Sequence, residues 1–324
     1  MYKLKSKAED FYVEEIPKIE TFKKGSYSYF WLKKKGWNTS DAIKKMSEIL
    51  KIKEKWFNVA GIKDKNAVTK QVVSVYGIKK EKLERLKIRD IEIEFIGYGD
   101  ERLKLGQIYG NRFKVVVRSL DKEGRKIKFL ENYYDDQRFG GRNKLFGEAL
   151  VKREFRKVCY MLRVKWKEND YVNALRNLGK KRLRFFINSY QSYLWNLAVV
   201  VYLKKKYKKY FKVDYLEGEF IFSDEIVSNI KVPIIGCLSE FDDKDIEEIY
   251  DDILKKEEIK KENFLFREFP DLNSEGNERD LIVKTDVKTK YENDDMNRDK
   301  RKAILDFSLP AGSYGSLVVR KMFE

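Results

Sequence analysis

Ala60-Gly61-Ile62-Lys63-Asp64-Lys65-Asn66-Ala67-Val68-Thr69-Lys70-Gln71 is the stretch from which the rest of the chain reads outward. Before it, Trp56-Phe57-Asn58-Val59 has the aromatic and β-branched make-up of a short strand. After it, Val72, Val73, Val75 and Tyr76 make a second strand, ended by Gly77. Gly61 and Asn66 suit a turn between the two, and Asp64 could be no more than its solvated tip. Composition alone favours that plain reading. The alternative is a carboxylate set between two lysines for chemistry.

Elements on either side suggest an α+β chain. Ala8 to Glu15 alternates loosely and stops at Pro17, as an edge strand with a charged outer face would. Tyr27 to Leu32 reads as a strand closing at Lys33 to Gly36. Asn38-Thr39-Ser40 then caps a helix with Ala42, Ile43, Met46, Ile49 and Leu50 on one face. Lys80 to Leu86 predicts a short helix, and Ile88 to Ile96 a strand. Gln107 to Arg118 is a loop entering another strand, where Asn111 and Phe113 share a face because they are two residues apart. Taken by itself, Phe113 is a core aromatic. No long crossover helices separate these strands, so the sheet is expected to be mixed and largely antiparallel.

The texture changes near residue 141. Residues 141–185 carry 14 Lys or Arg against 4 Asp or Glu, and Lys181 to Tyr210 reads as one long helix rich in aromatics. Such a basic, aromatic region is either a solvated helical bundle or a surface facing RNA. Residues 240–263 reverse the sign, with 11 acids against 5 bases, and are expected to face solvent away from RNA. Arg279 to Val283 is strand-like, Lys288 to Lys302 reads as a charged loop, and Ala303 to Leu309 as a strand broken by Pro310 and Gly312. Ser313 then caps a short helix through Leu317 to Val319.

The balance of 70 basic and 53 acidic residues, net +17 over 324 residues, favours a polyanionic partner through counterion release. The chain has no histidine, which excludes Ser-His and Cys-His relays and most zinc sites. Proton transfers fall to carboxylates, lysines, tyrosines or water. Cys159 and Cys237 are far apart and suit a reducing compartment. No apolar run approaches the ~18 residues of a membrane span. The first residues contain no secretory core, so a cytoplasmic protein is expected.

The segment 60–71 resembles the signature of the TruD family of tRNA pseudouridine synthases. Gly110-Asn111-Arg112-Phe113 is similar to that family's Gly-Asn-x-Phe motif, and Asn132 to Gly140 to its Asn-Tyr-Phe…Gln-Arg-Phe-Gly segment, with Tyr134 in place of phenylalanine. Leu309-Pro310-Ala311-Gly312-Ser313-Tyr314 resembles its last motif, again with tyrosine where phenylalanine is usual. The resemblance implies a pseudouridine synthase catalytic fold formed by residues 1–140 and 279–324, interrupted by an α-rich insertion domain over 141–278. Residues 132–140 would be a structural hinge.

It further implies Asp64 as the catalytic carboxylate. Lys5, Glu9 and Phe11 of the opening motif would line the site together with Lys63 and Asn111. Phe113 would stack against the target base, and Tyr314 would border it. The substrate would be uridine 13 of tRNA, with no cofactor, metal or membrane involved and no protein partner marked, hence a monomer. Detaching uracil from C1′ and rejoining it through C5 needs a carboxylate acting as nucleophile or as base at C2′, and the sequence leaves both open. A lysine beside Asp64 would favour its ionised form. Lys63 would point away from Asp64 in an extended segment, leaving Lys5 at least as good a partner. Two other classes remain at this stage: an RNA-binding chaperone that has lost catalysis, and a base methyltransferase, for which no glycine-rich donor cradle is evident.

Overall fold

The computed structural model describes residues 2–324. They form two compact units: one runs up to Lys128 and includes Lys284–Gly315 and Phe323, the other comprises Phe129–Val283, Ser316–Met322 and Glu324. Among the described residues no helix is long and apolar enough to cross a membrane.

The first unit contains β1 (Lys3–Leu4), β2 (Phe11–Pro17), β3 (Tyr27–Lys35), α1 (Thr39–Leu50), β4 (Phe57–Val59), β5 (Val68–Tyr76), α2 (Lys80–Glu84), β6 (Ile91–Gly99) and β7 (Ile108–Leu120). α1 buries Ala42 and Met46 against Phe30, Leu32, Val73 and Val75. It ends at Lys51 in the left-handed region, φ 54°, whose N–H returns to the last turn.

In the second unit lie β8 (Phe129–Glu131), α3 (Asn143–Val151), α4 (Phe155–Leu162), α5 (Tyr171–Arg176), α6 (Lys180–Lys206), β9 (Phe211–Tyr215), β10 (Gly218–Phe222), β11 (Lys231–Ile234), α7 (Lys244–Lys256), β12 (Asn277–Asp280) and all but the last residue of β13 (Ile282–Lys284). The long helix α6 is its axis, burying Tyr190, Leu194, Trp195 and Val199 completely. α3 meets α6 at Gly147, where a Cβ would lie 2.0 Å from the Phe186 carbonyl oxygen. Only glycine permits that approach. The acid-rich α7 is amphipathic, with Ile246, Ile249, Tyr250, Ile253 and Leu254 buried.

The chain then returns through β14 (Lys288–Asn293) and β15 (Arg301–Pro310), and closes with α8 (Gly315–Phe323). The expected loop at 288–302 is therefore corrected: its first half is β14, paired antiparallel to β15 at the sheet edge. An edge strand needs no apolar face, and charges there discourage pairing with other chains, so its sequence resembles a loop.

The sheet runs β14-β15-β7-β2-β5-β3-β6, with β1 added beside β7 and β4 beside β5. The β2–β5 pair is parallel, while its other pairings are antiparallel. The mixed, largely antiparallel α+β fold is thus as expected.

The unit boundaries fall at 128/129 and 283/284, earlier and later than 140/141 and 278/279. Side chains of α6 explain the first shift. Asn196 brackets the Tyr134 backbone, accepting from its N–H at 2.9 Å and donating to its carbonyl at 2.8 Å. The Arg138 guanidinium donates to Ser192 Oγ at 3.0 Å. Residues 132–140 are thereby packed into the second unit. Most of α8 joins the same unit, with Lys321 Nζ 2.8 Å from the buried Glu131.

Candidate active site

Register brings the site residues onto one face of the sheet. Lys34 pairs with Thr69, Thr69 with Val13, Val13 with Phe113, and Phe113 with Phe307, a row crossing five strands. The adjacent positions carry Leu32 opposite Gln71, and Glu15 opposite Asn111. β5 changes partner along this edge: Val68 to Lys70 pair with β2, and Val73 to Val75 with β4. Gln71 and Val72 lie at the fork. The segment 60–67 leaves β4 at that point, so a loop is inserted where two strands diverge.

Side chains replace the missing ladder. Glu15 Oε2 accepts from the Val72 N–H at 2.9 Å, and Gln71 Nε2 donates to the Gly61 carbonyl at 3.1 Å. Thr39, at the start of α1, donates to Gln71 Oε1 at 2.8 Å and accepts from the Lys63 N–H at 3.0 Å. Loop, strand and helix are closed into one hydrogen-bonded ring, which fixes the backbone beneath Asp64.

The Asp64 carboxylate accepts from Lys5 Nζ at 3.0 Å, with each side chain a little over a quarter exposed. Lys5 Nζ also lies 4.4 Å from the centre of the Phe11 ring, within cation–π range. The backbone at Lys5 is left-handed, φ 57°, uncommon for a residue with a side chain. Lys63 points the other way, to Glu15 Oε1 at 3.0 Å and Asn111 Oδ1 at 2.7 Å. Lys34 is buried beneath the loop. Burial pushes its ammonium down to about 8, against the attraction of Asp64 and helped by repulsion from Lys63.

The aromatic members form a stack. Phe113 lies parallel to Phe307 with ring centres 5.2 Å apart, and Phe11 meets it edge-on at 6.2 Å. Gly315 abuts its rim, since a Cβ there would fall 2.7 Å from Phe113 Cδ1. Tyr314, half-buried, immediately precedes that glycine. Among the described residues no three His, Cys, Asp or Glu side chains are grouped to hold a metal ion.

The family model described as tRNA pseudouridine synthase D (TruD) matches residues 2–165 and 156–322. The chain belongs to the TruD family. It is 29% identical to the tRNA pseudouridine synthase D of Aquifex aeolicus, the match covering 99% of this chain and 98% of that one. A Methanococcus maripaludis protein named "Probable tRNA pseudouridine synthase D 1" is also 29% identical, with 99% of both chains covered. A crystal structure from Methanosarcina mazei assigned to TruD shares the fold, with a TM-score of 0.70 at 24% identity over 99% of this chain and 93% of that one.

Of the residues expected from sequence, Lys5, Phe11, Lys63, Asp64, Asn111 and Phe113 converge. Glu9 does not join them: its carboxylate pairs with Lys35 at 2.5 Å, both about half-exposed. The hydrogen bond from Lys35 holds that carboxyl below its usual range. Phe113 is 5% exposed, with one face covered by Phe307. Sequence reading missed Glu15, Lys34, Thr39 and Gln71. A signal existed for two of them. Glu15 continues the inward row Phe11, Val13, and Lys34 the inward row Phe30, Leu32, so strict alternation places both charges on the core face.

Proposed function

We propose that the protein isomerises uridine to pseudouridine in tRNA, with Asp64 as the reacting carboxylate. The observation carrying this is the Asp64 side chain, ion-paired to Lys5 and mounted on a loop anchored to β5 and α1. In this reaction the C1′–N1 bond breaks and a C1′–C5 bond forms. The proton leaves C5, N1 regains one, and nothing is oxidised. The carboxylate assists at C1′ or C2′, and Lys5 Nζ sits 3.0 Å from it as its ion-pair partner. Phe11 and Tyr314 border the space for the base. Phe113, backed by Phe307, supports that wall. The exchange needs no cofactor, and we take the protein to act on tRNA as a monomer.

Uridine 13 is the position we assign, by membership of the family. The second unit, with its excess of cations at 141–185, serves as the insertion domain that holds the RNA. An unmodified tRNA transcript incubated with the protein alone should gain pseudouridine at that position, read by carbodiimide adduct and primer extension. Modification only with an added methyl donor, or tRNA binding without product, would sink the proposal.

A further inference from the structure

A cation lies under the catalytic loop as well as beside it. Lys34 ends the inward row of β3 and is 1% exposed, in a place where the pattern Phe30, Leu32 calls for an apolar residue. Its ammonium donates to the carbonyls of Trp37 at 2.7 Å, Asp64 at 2.9 Å and Lys63 at 3.3 Å. An ammonium has three protons, and three carbonyls use them all. Two of those carbonyls belong to the reacting residue and the one before it. The third belongs to the turn that launches α1, whose Thr39 holds the Lys63 N–H.

Burying a charge with no carboxylate directly on it opposes folding, so stability does not explain Lys34. Position does. Gln71 and Thr39 hold the loop at Gly61 and at the Lys63 amide; Lys34 holds the next two carbonyls. Removing it takes the ammonium donor from the two carbonyls that flank the Asp64 Cα, and with it a restraint on the direction of the Asp64 side chain.

We infer that Lys34 is a positioning residue for the isomerisation: it clamps the Lys63 and Asp64 carbonyls and so aims the Asp64 carboxylate. This rests on Asp64 being the reacting group. The clamp needs the ammonium, because a neutral amine turns a lone pair towards one of the carbonyls. The charged groups facing Lys34 are Asp64 and Lys63 of the loop, with Lys5 and Glu15 behind them. Its partner on β5 is the neutral Thr69, and on β6 Ile91, while the flanking Lys33 and Lys35 point to the other face, paired with Glu92 and Glu9.

The test compares Lys34→Met and Lys34→Arg with the parent protein on a tRNA transcript, together with thermal unfolding. The methionine variant should lose about 10²-fold in kcat, the scale of a small misplacement, with KM for tRNA changed less than about threefold. The arginine variant should lose less. In the parent, kcat should fall as pH rises through about 8, and this limb should vanish in the arginine variant, which stays charged. Parent-like kcat in Lys34→Met, activity that only follows the folded fraction, or an unchanged alkaline limb in Lys34→Arg would each overturn the inference. If methionine prevents folding, the pH limb of the arginine variant decides. Should Asp64→Asn remain active, the underlying reading fails; should it be inactive while Lys34→Met is normal, only the clamp fails.

Discussion

Glu15 and Lys63 form the most deeply enclosed ion pair of the site, and separating them has a calculable cost. Their charged atoms are 3.0 Å apart, with side chains 0% and 11% exposed. Glu15→Gln keeps an acceptor for the Val72 N–H but leaves the Lys63 ammonium facing only Asn111. Leaving one buried charge unpaired costs about 3–5 kcal/mol, and Lys63→Met should cost a similar amount by stranding the carboxylate. Replacing both removes both charges, so the double variant should lie within about 2 kcal/mol of the parent. A coupling of several kcal/mol should therefore emerge from urea unfolding of the four proteins. Hydrogen exchange at the Val72 amide would place the loss at the fork between β2 and β4. Single-variant costs that add within about 0.5 kcal/mol would show that the pair does not interact in solution and would refute the geometry.

Three further outcomes are expected. Asp294 is raised by burial but held at about 2 overall by the N–H groups of Met296 and Ser119, by Asn297 and by Arg118. It should add about 2 kcal/mol of stability above pH 4, lost as pH falls through 2; the gap between parent and Asp294→Asn should close over that range, and a pH-independent gap would contradict this. Phe113→Ala should cost about 3–5 kcal/mol of stability and Phe113→Leu much less, so low turnover in a near-natively stable leucine variant would give the ring a role at the base, and turnover that follows the folded fraction would leave it only packing. Affinity for tRNA should drop steeply with salt. Lys180 pairs with Asp271, and Arg184 donates to the Asp271 carbonyl, so reversal of the exposed Lys165, Lys167 and Lys181 is the better probe. It should flatten the slope by about two; an unchanged slope would place the RNA elsewhere.

Most strands and the long helix were legible because their apolar positions repeat with the period of the element. The loop at 60–67 was legible as a compact motif; alternation pointed Lys63 away from Asp64, and the family resemblance supplied Lys5 as at least as good a partner. Glu15 and Lys34 were overlooked for one reason: charge marks a residue as outward, and both break that rule by finding partners in distant segments. Glu15 needs Val72 and Lys63; Lys34 needs three carbonyls. Neither set is visible along the chain. β14 was hidden by its charged edge, and the unit boundary by Asn196, which claims the Tyr134 backbone from 62 residues away.

The central claim is that Asp64 takes part in bond exchange at the ribose, and single-turnover kinetics of Asp64→Asn on a tRNA transcript test it most directly. The amide keeps the shape and can still accept from Lys5, but it can neither attack nor remove a proton. Pseudouridine formation should vanish, with tRNA affinity within about tenfold of the parent, or ~1.4 kcal/mol. Product formation at a rate near that of the parent, in a preparation free of parent protein, would contradict the account.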